Sequence, residues 1–323
     1  MKYTFESKLS PYIVGLIQQK RTDGFSYAND EYHLKKLDEF CVASFPDAAT
    51  ITRKLASEWS TIRPTEGGSY RNRRVNLLRQ LSLYILSLGC DAYVPRNPGK
   101  VSKPVLYIPS RAEISAFLAK VDSLESLRYH GRRTFRAYKV IFRLYSCCGL
   151  RLSEARLLKR EDVDFDKGVL TIYKSKGHKD RLVYLPTDGK QILNDYRVFI
   201  ETAAPHSPWL FPGLNIEKPL TGAAIQHKFK ECWTGLPFAV NADKIPTPHC
   251  LRHAFVVDRL NDWMRQGLDT QELLPFLSKY LGHKGPSETF YYYHLVDHAF
   301  SIIREKDMMS HRVIPEVYEY EEV

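Results

Sequence analysis

The segment between Val94 and Ser110, VPRNPGKVSKPVLYIPS, is the feature that most limits what this 323-residue chain can fold into. It contains four prolines and three Lys or Arg side chains, but few residues that can build a core. Proline fixes φ and lacks a backbone N–H, so the segment favours an extended connector over a helix. We therefore predict domains at residues 1–94 and 110–310, a linker at residues 95–109, and an acidic tail at residues 311–323.

The residues before this connector have the apolar spacing of helices. In the last and longest of them, Val75, Leu78, Leu81, Ile85 and Leu88 form one stripe. We predict an all-helical N-terminal domain.

Four arginines crowd the start of that longest helix, at positions Arg71, Arg73, Arg74 and Arg79. Cations at a helix N-terminus oppose the macrodipole, which favours a compensating anion nearby. The formal net charge of +10 makes a polyanion such as DNA a reasonable source of that anion. The alternative is a solvated basic face, and the sequence leaves both interpretations open.

Capping residues predict where three helices begin. Ser110 is followed after three residues by Glu113, the spacing of a capping box. Asn29 is a plausible N-cap of the helix in ANDEYHLKKLDEFCVASF, and Ser153 is expected to cap SEARLLKRED.

The segment VDFDKGVLTIYKSKGHKDRLVYLP breaks the helical pattern of the second half. It alternates in polarity, is rich in β-branched residues and contains two glycine turns, so it predicts three short antiparallel strands. The predicted fold is mainly α with a small antiparallel β-sheet.

The cysteines and the N-terminus indicate a cytoplasmic protein. The six cysteines include no Cys-x-x-Cys pair and have mostly apolar neighbours, which predicts buried free thiols. The N-terminal residues lack the pattern of a signal peptide, and no run approaches the roughly 18 apolar residues of a membrane span.

Basic and aromatic side chains in the second half could together perform phosphoryl transfer. Two arginines can grip phosphate oxygens, a lysine on a turn can protonate a leaving oxygen, and a neutral histidine can accept a proton. A tyrosine has a pKa of about 10, and nearby guanidinium groups would make it a usable nucleophile. The candidates lie at Arg151, Lys176, His249, Arg252, His283 and the tyrosines 291–293. Each of them alone is more often a surface charge, a structural histidine or a core aromatic.

A metal site is the alternative for the histidines. His249 and His253 are four residues apart, a spacing that zinc accepts, and share a helix face with Arg252. However, no glutamate follows His249, and a guanidinium between the imidazoles would repel a dication, so we expect no metal.

The motifs in combination resemble the phage-integrase family of tyrosine recombinases. GLRLSE is similar to the family's first-arginine motif and places Arg151, while SKGHKDRLVYLP is similar to its hairpin-lysine segment and places Lys176. HCLRH is similar to the His-x-x-Arg motif, with His249 and Arg252. Lys174 and Lys179 remain alternatives for the lysine.

The resemblance also selects one of the three tyrosines. LGH places the next family histidine at His283, and the family's nucleophile follows it by nine residues and begins Tyr-x-His. This rule selects Tyr292, with His294 completing the motif. Neighbours on a helix point about 100° apart, so Tyr291 is interpreted as packing with Phe290 and Leu295.

The resemblance implies a mechanism without metal, ATP or cofactor. Tyr292 would attack a DNA phosphodiester to form a 3′-phosphotyrosyl bond, Arg151 and Arg252 would clamp the phosphate, and Lys176 would protonate the 5′ oxygen. His249 would act as acid and base. The resemblance implies that His283 hydrogen-bonds the phosphate. It also implies that Glu154 and His294 support the catalytic residues.

The implied partners are double-stranded DNA with inverted half-sites and other copies of this chain. The two domains would form a C-shaped clamp around the DNA. A dimer would occupy one site and a tetramer would join two, with other recombinases or accessory factors as further partners. With no room for an arm-binding domain, a Xer-like or transposon-borne enzyme is expected, acting in integration or excision, transposition, or dimer resolution. A non-catalytic DNA-binding accessory protein and a type IB-like topoisomerase are the alternatives. The acidic tail either docks on a neighbouring protomer or is a disordered end.

Overall fold

A computed structural model describes residues 2–99, 106–125, 129–173, 180–239, 245–283 and 285–292. The chain divides into two compact units, Met1–Val105 and Leu106–Val323, and the division falls inside the proline-rich segment. Lys176 with its alternatives Lys174 and Lys179, His294 and the acidic tail lie outside the described residues.

The first unit consists of helices in its described part. Their bounds are α1 Ser10–Thr22, α2 Ala28–Ser44, α3 Arg53–Ser60 and α4 Gly68–Ser87. The apolar stripes of all four helices meet in one core, which includes Ile13, Leu34, Leu55, Leu78 and Leu81.

Two predictions in this unit differ from the structure. Helix α2 begins at Ala28 and is preceded by Tyr27 in a left-handed conformation (φ 50°), so Asn29 lies within the helix and does not cap it. In α4, Leu88 is the C-cap and is exposed, because the buried stripe ends one turn earlier at Ile85.

The second unit contains the remaining helices. These are α5 Arg111–Asp122, α6 Tyr129–Cys148, α7 Leu152–Arg156, α8 Thr187–Ala203, α9 Gly222–Thr234, α10 His249–Arg265, α11 Thr270–Leu281 and α12 Ser287–Phe290. Short 3₁₀ turns lie at Arg160–Asp162 and Pro237–Ala239. Helix α6 packs against α5, α8 and α10, so it forms the centre of this unit.

The small sheet has the predicted antiparallel order. Strands β1 Val163–Asp164, β2 Val169–Ile172 and β3 Arg181–Tyr184 are hydrogen-bonded in the order β1-β2-β3. Leu170 pairs with Val163 on one side and Val183 on the other, and all three side chains are buried. This shared apolar face fixes the register, because a slip of one residue would turn it towards solvent.

The start of α5 confirms one capping prediction, and the start of α7 contradicts another. Ser110 accepts a hydrogen bond from the Glu113 amide, and the Glu113 carboxylate binds the Ser110 amide in return. Helix α7 begins at Leu152, so Ser153 is inside it, and Glu154 binds the amide of Arg151 at the N-cap. The capping carboxylate at α7 is therefore also a partner of a candidate catalytic arginine.

All six cysteines are free thiols, and four of them are buried, as the sequence predicts. Within the described residues, no helix is both long enough and apolar enough to cross a membrane. Helix α6 carries Cys147 and Cys148 in its last turn, and the next residue, Gly149 (φ 61°), begins the turn that leads to Arg151.

Candidate active site

Arg252 lies at the centre of the candidate site, in the first turn of α10, and is only 1% exposed. Its guanidinium donates to the carbonyl oxygens of Gly149 at 2.6 Å and Leu281 at 2.8 Å, and contacts His283 Nε2 at 3.0 Å. These contacts tie together the ends of α6 and α11 and the start of α10. Burial and the nearby Arg151 charge lower the pKa of Arg252 to about 10, which leaves it charged at neutral pH.

Arg151 follows the turn at the end of α6 and is held by its own helix. Its Nη1 donates to Glu154 Oε1 at 2.7 Å, and its Nη2 donates to the carbonyl oxygen of Gly282 at 2.6 Å. The structure thus brings the two predicted arginines to the same carbonyl-rich edge, because Gly282 directly follows Leu281, an acceptor of Arg252.

Arg181, which the sequence analysis did not assign, shares Glu154 with Arg151. It donates to both oxygens of this carboxylate, at 2.9 and 2.7 Å, and its Nε donates to the carbonyl oxygen of Tyr280 at 2.7 Å. Burial raises the pKa of Glu154, but hydrogen bonds and charge from Arg181 and Arg151 outweigh it and lower the pKa to about 2. Strand β3, helix α7 and the end of α11 are joined through this ionised carboxylate.

Gly282 is required at the junction of these arginines. It has a φ of 64°, and a Cβ atom added there would lie 2.9 Å from Arg181 Nη1 and 3.3 Å from Arg151 Nη1. Only glycine adopts this conformation freely and also leaves room for both guanidinium groups.

His283 connects Arg252 to the segment that carries the tyrosines. Its Nε2 accepts from Arg252 at 3.0 Å, so in the neutral ring its Nδ1 carries the hydrogen, facing Thr289 Oγ1 at 2.7 Å. Thr289 is completely buried in α12. The imidazole therefore aligns α12 with the arginine, and its hydrogen bond to a phosphate stays a prediction.

His249 is the first residue of α10, and its ring meets that of His253 edge-on, with centroids 4.5 Å apart. His249 as a whole residue is exposed to solvent. Desolvation by the surrounding protein and the charges of Arg252 and Arg151 lower the pKa of His249 to about 4. The imidazole is therefore neutral at pH 7 and able to accept a proton, as an acid/base residue requires.

Tyr292 lies just past α12 and points into this site. It is 5% exposed, and its hydroxyl lies 2.7 Å from Nδ1 of His253. Burial raises the pKa of Tyr292, although the Arg252 charge acts in the opposite direction. Nearby guanidinium groups were expected to make the phenol a usable nucleophile, but burial has the larger effect on its pKa because the phenol is enclosed by protein.

The two aromatic residues that precede Tyr292 are less enclosed than Tyr292. Tyr291 is half-buried, with its ring centroid 6.0 Å from that of Tyr292, and Phe290 is exposed. The expected packing of Tyr291 with Phe290 receives no support from this exposure, while Leu295 lies outside the described residues.

The arginines predicted to contact DNA in the first unit have protein partners. Arg74 is 1% exposed and forms two 2.5 Å bonds to Glu66, so the interpretation of Arg74 as a DNA contact is wrong. The anion expected at this helix start is a protein carboxylate. Arg71, Arg73 and Arg79 are at least partly exposed and bind the Ser60 carbonyl, Asp30 and the Pro95 carbonyl.

Comparison with known proteins gives a consistent assignment. Residues 118–298 match the model of the phage integrase family. The integrase/recombinase y4rB of Sinorhizobium fredii is 31% identical over 299 residues, which cover 90% of this chain and 92% of that protein. The tyrosine recombinase XerA of Thermococcus kodakarensis is 28% identical over 227 residues, which cover 69% of this chain and 71% of the relative.

Solved structures show the same fold at lower identity. The XerH site-specific recombinase, bound to a palindromic difH substrate in a post-cleavage complex, has a TM-score of 0.63 at 19% identity. That comparison covers 87% of this chain and 78% of XerH. The Tn1549 transposon integrase, in complex with a circular intermediate DNA, has a TM-score of 0.61 at 17% identity, covering 87% and 94%.

Proposed function

This chain belongs to the phage integrase family, and we propose that it cleaves and rejoins DNA strands with Tyr292 as the nucleophile. It is a tyrosine site-specific recombinase, and its partner is double-stranded DNA. The observation that carries the residue assignment is the position of the Tyr292 hydroxyl. It is bonded to α10 at His253, the residue that directly follows the buried Arg252.

In the proposed reaction, the Tyr292 oxygen attacks a phosphodiester and the bond from phosphorus to the 5′ oxygen breaks. The phenol loses its proton to a base, and the 5′ oxygen gains one from an acid. The products are a 3′-phosphotyrosyl bond and a 5′-hydroxyl group. Rejoining reverses these steps with a hydroxyl from the partner duplex, and no ATP is needed because the phosphotyrosyl bond conserves the energy.

Arg252 and Arg151 are proposed to clamp the phosphate. Arg252 has hydrogen bonds to carbonyl oxygens and an imidazole, all uncharged acceptors, so its positive charge is available to an anion. Arg151 shares one carboxylate with Arg181, so these two guanidinium groups carry one more positive charge than Glu154 neutralises. The excess charge would stabilise the crowded pentacoordinate phosphorane more than the starting diester.

The remaining roles are assigned by motif and geometry. His249, neutral at pH 7, is proposed as the acid/base residue, and His283 as a hydrogen-bonding partner of the phosphate. Lys176 is proposed to protonate the 5′ oxygen, with Lys174 and Lys179 as alternatives. Glu154 orients Arg151 through the contacts described above, and His294 is proposed to support Tyr292.

On the larger scale, we propose that the two units close on DNA as a C-shaped clamp. Arg71, Arg73 and Arg79 are the candidate phosphate contacts of the first unit. We also propose that a dimer binds each site and that a tetramer joins two sites. The proposed place of action is the cytoplasm.

A nicked suicide substrate tests the nucleophile directly. Candidate inverted half-sites from the DNA flanking the gene supply the substrate, and a denaturing gel detects the covalent protein–DNA adduct. We expect wild type and Tyr291→Phe to form the adduct and Tyr292→Phe to form none, because only the last loses the attacking oxygen. An adduct in Tyr292→Phe would show that the nucleophile is misassigned.

Two further measurements separate the alternatives. Adduct formation should persist in EDTA, whereas a requirement for a divalent ion would favour a metal-dependent nuclease. DNA binding without an adduct on any recovered site would favour a non-catalytic accessory protein. Relaxation of a supercoiled plasmid that lacks such a site would favour a type IB-like topoisomerase.

A further inference from the structure

His253 is the residue that contacts the proposed nucleophile, although the motif comparison gives it no role. It lies on α10, one residue after Arg252 and one turn after His249. Its Nδ1 is 2.7 Å from the Tyr292 hydroxyl, and the two rings are inclined at 41° with centroids 5.5 Å apart.

We propose that His253 is a positioning residue, which holds the Tyr292 hydroxyl beside Arg252 by accepting its hydrogen bond. The inference rests on the proposed function, because it assumes that Tyr292 is the nucleophile. It assigns no proton-transfer step to His253, and the acid/base role stays with His249.

Both groups of this hydrogen bond are neutral at pH 7. Burial and the charges of His249 and Arg252 lower the pKa of His253 to about 4, so the ring is neutral at pH 7. Burial raises the pKa of Tyr292, so its phenol keeps its proton. The proposal places the imidazole hydrogen on Nε2, so that the phenol O–H donates and Nδ1 accepts. In the absence of DNA, the Tyr292 hydroxyl is therefore neutral, enclosed by protein and hydrogen-bonded to His253 on α10.

The imidazole is itself well placed to act as an anchor. Its backbone lies in the helix that carries Arg252, and the edge-on contact with His249 restricts the ring on one side. The tyrosine segment is therefore tied to α10 twice, through Thr289 and His283 to Arg252, and through Tyr292 to His253. Two ties at different points fix both the distance and the rotation of the segment relative to the arginine, which an attacking oxygen needs.

Three substitutions separate a positioning role from a merely structural one. Asparagine carries its amide oxygen close to the position of the histidine Nδ1, so His253→Asn keeps the acceptor but removes the basic ring. His253→Gln has the same amide, but its extra methylene displaces the acceptor. His253→Phe keeps the ring shape and has no acceptor at all.

The measurement is the rate constant of adduct formation on the suicide substrate at saturating DNA. We expect His253→Asn to stay within about threefold of wild type. His253→Gln and His253→Phe should be slower by about 10- to 100-fold, because a misplaced nucleophile costs up to this factor. DNA affinity should change less than the rate constant in all three variants, since His253 acts on the tyrosine and not on the DNA.

Two outcomes would overturn the proposal. A wild-type rate in His253→Phe would show that the hydrogen bond is dispensable, and an Asn variant as slow as Gln would show that an acceptor at this position is insufficient. If His253→Phe does not fold, the difference in rate constant between His253→Asn and His253→Gln still tests the proposal. Failure of the proposed function is distinguishable, because then wild type itself would form no adduct or Tyr292→Phe would still form one.

Discussion

Arg74 in the first unit and Arg252 in the second are both arginines with 1% exposure, yet their surroundings differ in one respect. Arg74 forms two 2.5 Å hydrogen bonds to the Glu66 carboxylate. Its Cζ atom lies 4.8 Å from the centroid of the Trp59 ring. The hydrogen bonds of Arg252 go to carbonyl oxygens and to His283. Within the described residues, a carboxylate neutralises the charge of Arg74, and no carboxylate is paired with Arg252.

This difference separates a structural arginine from an anion-binding one. Placing an uncompensated charge in the interior costs free energy, so a fold retains it only where something else is gained. The guanidinium of Arg252 contacts His283, and its charge acts on His249 and Tyr292. In the proposed function, a DNA phosphate supplies the counter-charge. Burial of an arginine therefore says little about its role until its acceptors are identified.

The comparison predicts its largest effect for Arg74→Met. This substitution strands the Glu66 carboxylate, whose side chain is 4% exposed, without its partner. Breaking a buried ion pair from one side costs about 3–5 kcal/mol, so the free energy of unfolding should fall by that amount. Chemical denaturation measures it.

A second substitution sharpens the same test. Adding Glu66→Leu to Arg74→Met removes the stranded carboxylate and should recover much of the lost stability. If the double variant is as unstable as the single one, packing of the arginine on Trp59 matters more than its charge.

The matched substitution Arg252→Met should instead remove activity. We expect DNA cleavage to slow by about 10²- to 10³-fold, since one preorganised group that stabilises the transition state contributes this much. The loss of stability should be smaller than for Arg74→Met, because no opposite charge is left unpaired. Single-turnover cleavage and denaturation of both variants, measured side by side, provide the check. Equal stability losses and equal cleavage rates in the two variants would contradict the distinction drawn between them.

The smallest predicted effect concerns acid stability at Glu154, the carboxylate that is shared by two arginines. Its pKa in the folded protein is about 2, below the ordinary value of 4.5. A carboxylate with a lowered pKa in the folded protein stabilises the fold at pH values above its unfolded-state pKa. This stabilisation is lost as the pH falls towards the folded-state pKa. Wild type should therefore lose about 1–2 kcal/mol more than Glu154→Gln between about pH 6 and about pH 3. Chemical denaturation at each pH gives the free energy of unfolding of wild type and Glu154→Gln. If the carboxylate were not involved, the two plots of this free energy against pH would be parallel.

Local patterns in the sequence were sufficient for much of the fold, and the spacing rule of the family selected the candidate nucleophile, whose role stays a prediction. The Ser110 capping box and the three strands follow from short-range spacing, and both are present in the structure. The interval from His283 to Tyr292 selects one tyrosine among three, and of the two that the structure describes, Tyr292 is the more enclosed. Such features depend on neighbours within a turn or two, so a single sequence carries them.

Only the tertiary structure decided which charged and polar groups meet. Arg181 as the second partner of Glu154 and His253 as the hydrogen-bond partner of Tyr292 join segments that lie apart along the chain. The raised pKa of Tyr292 also follows from enclosure by other segments. The sequence determined helices, strands and the spacing of reactive residues because these depend on local geometry. Burial and pairing depend on the packed chain, and they determine which charges remain available for DNA.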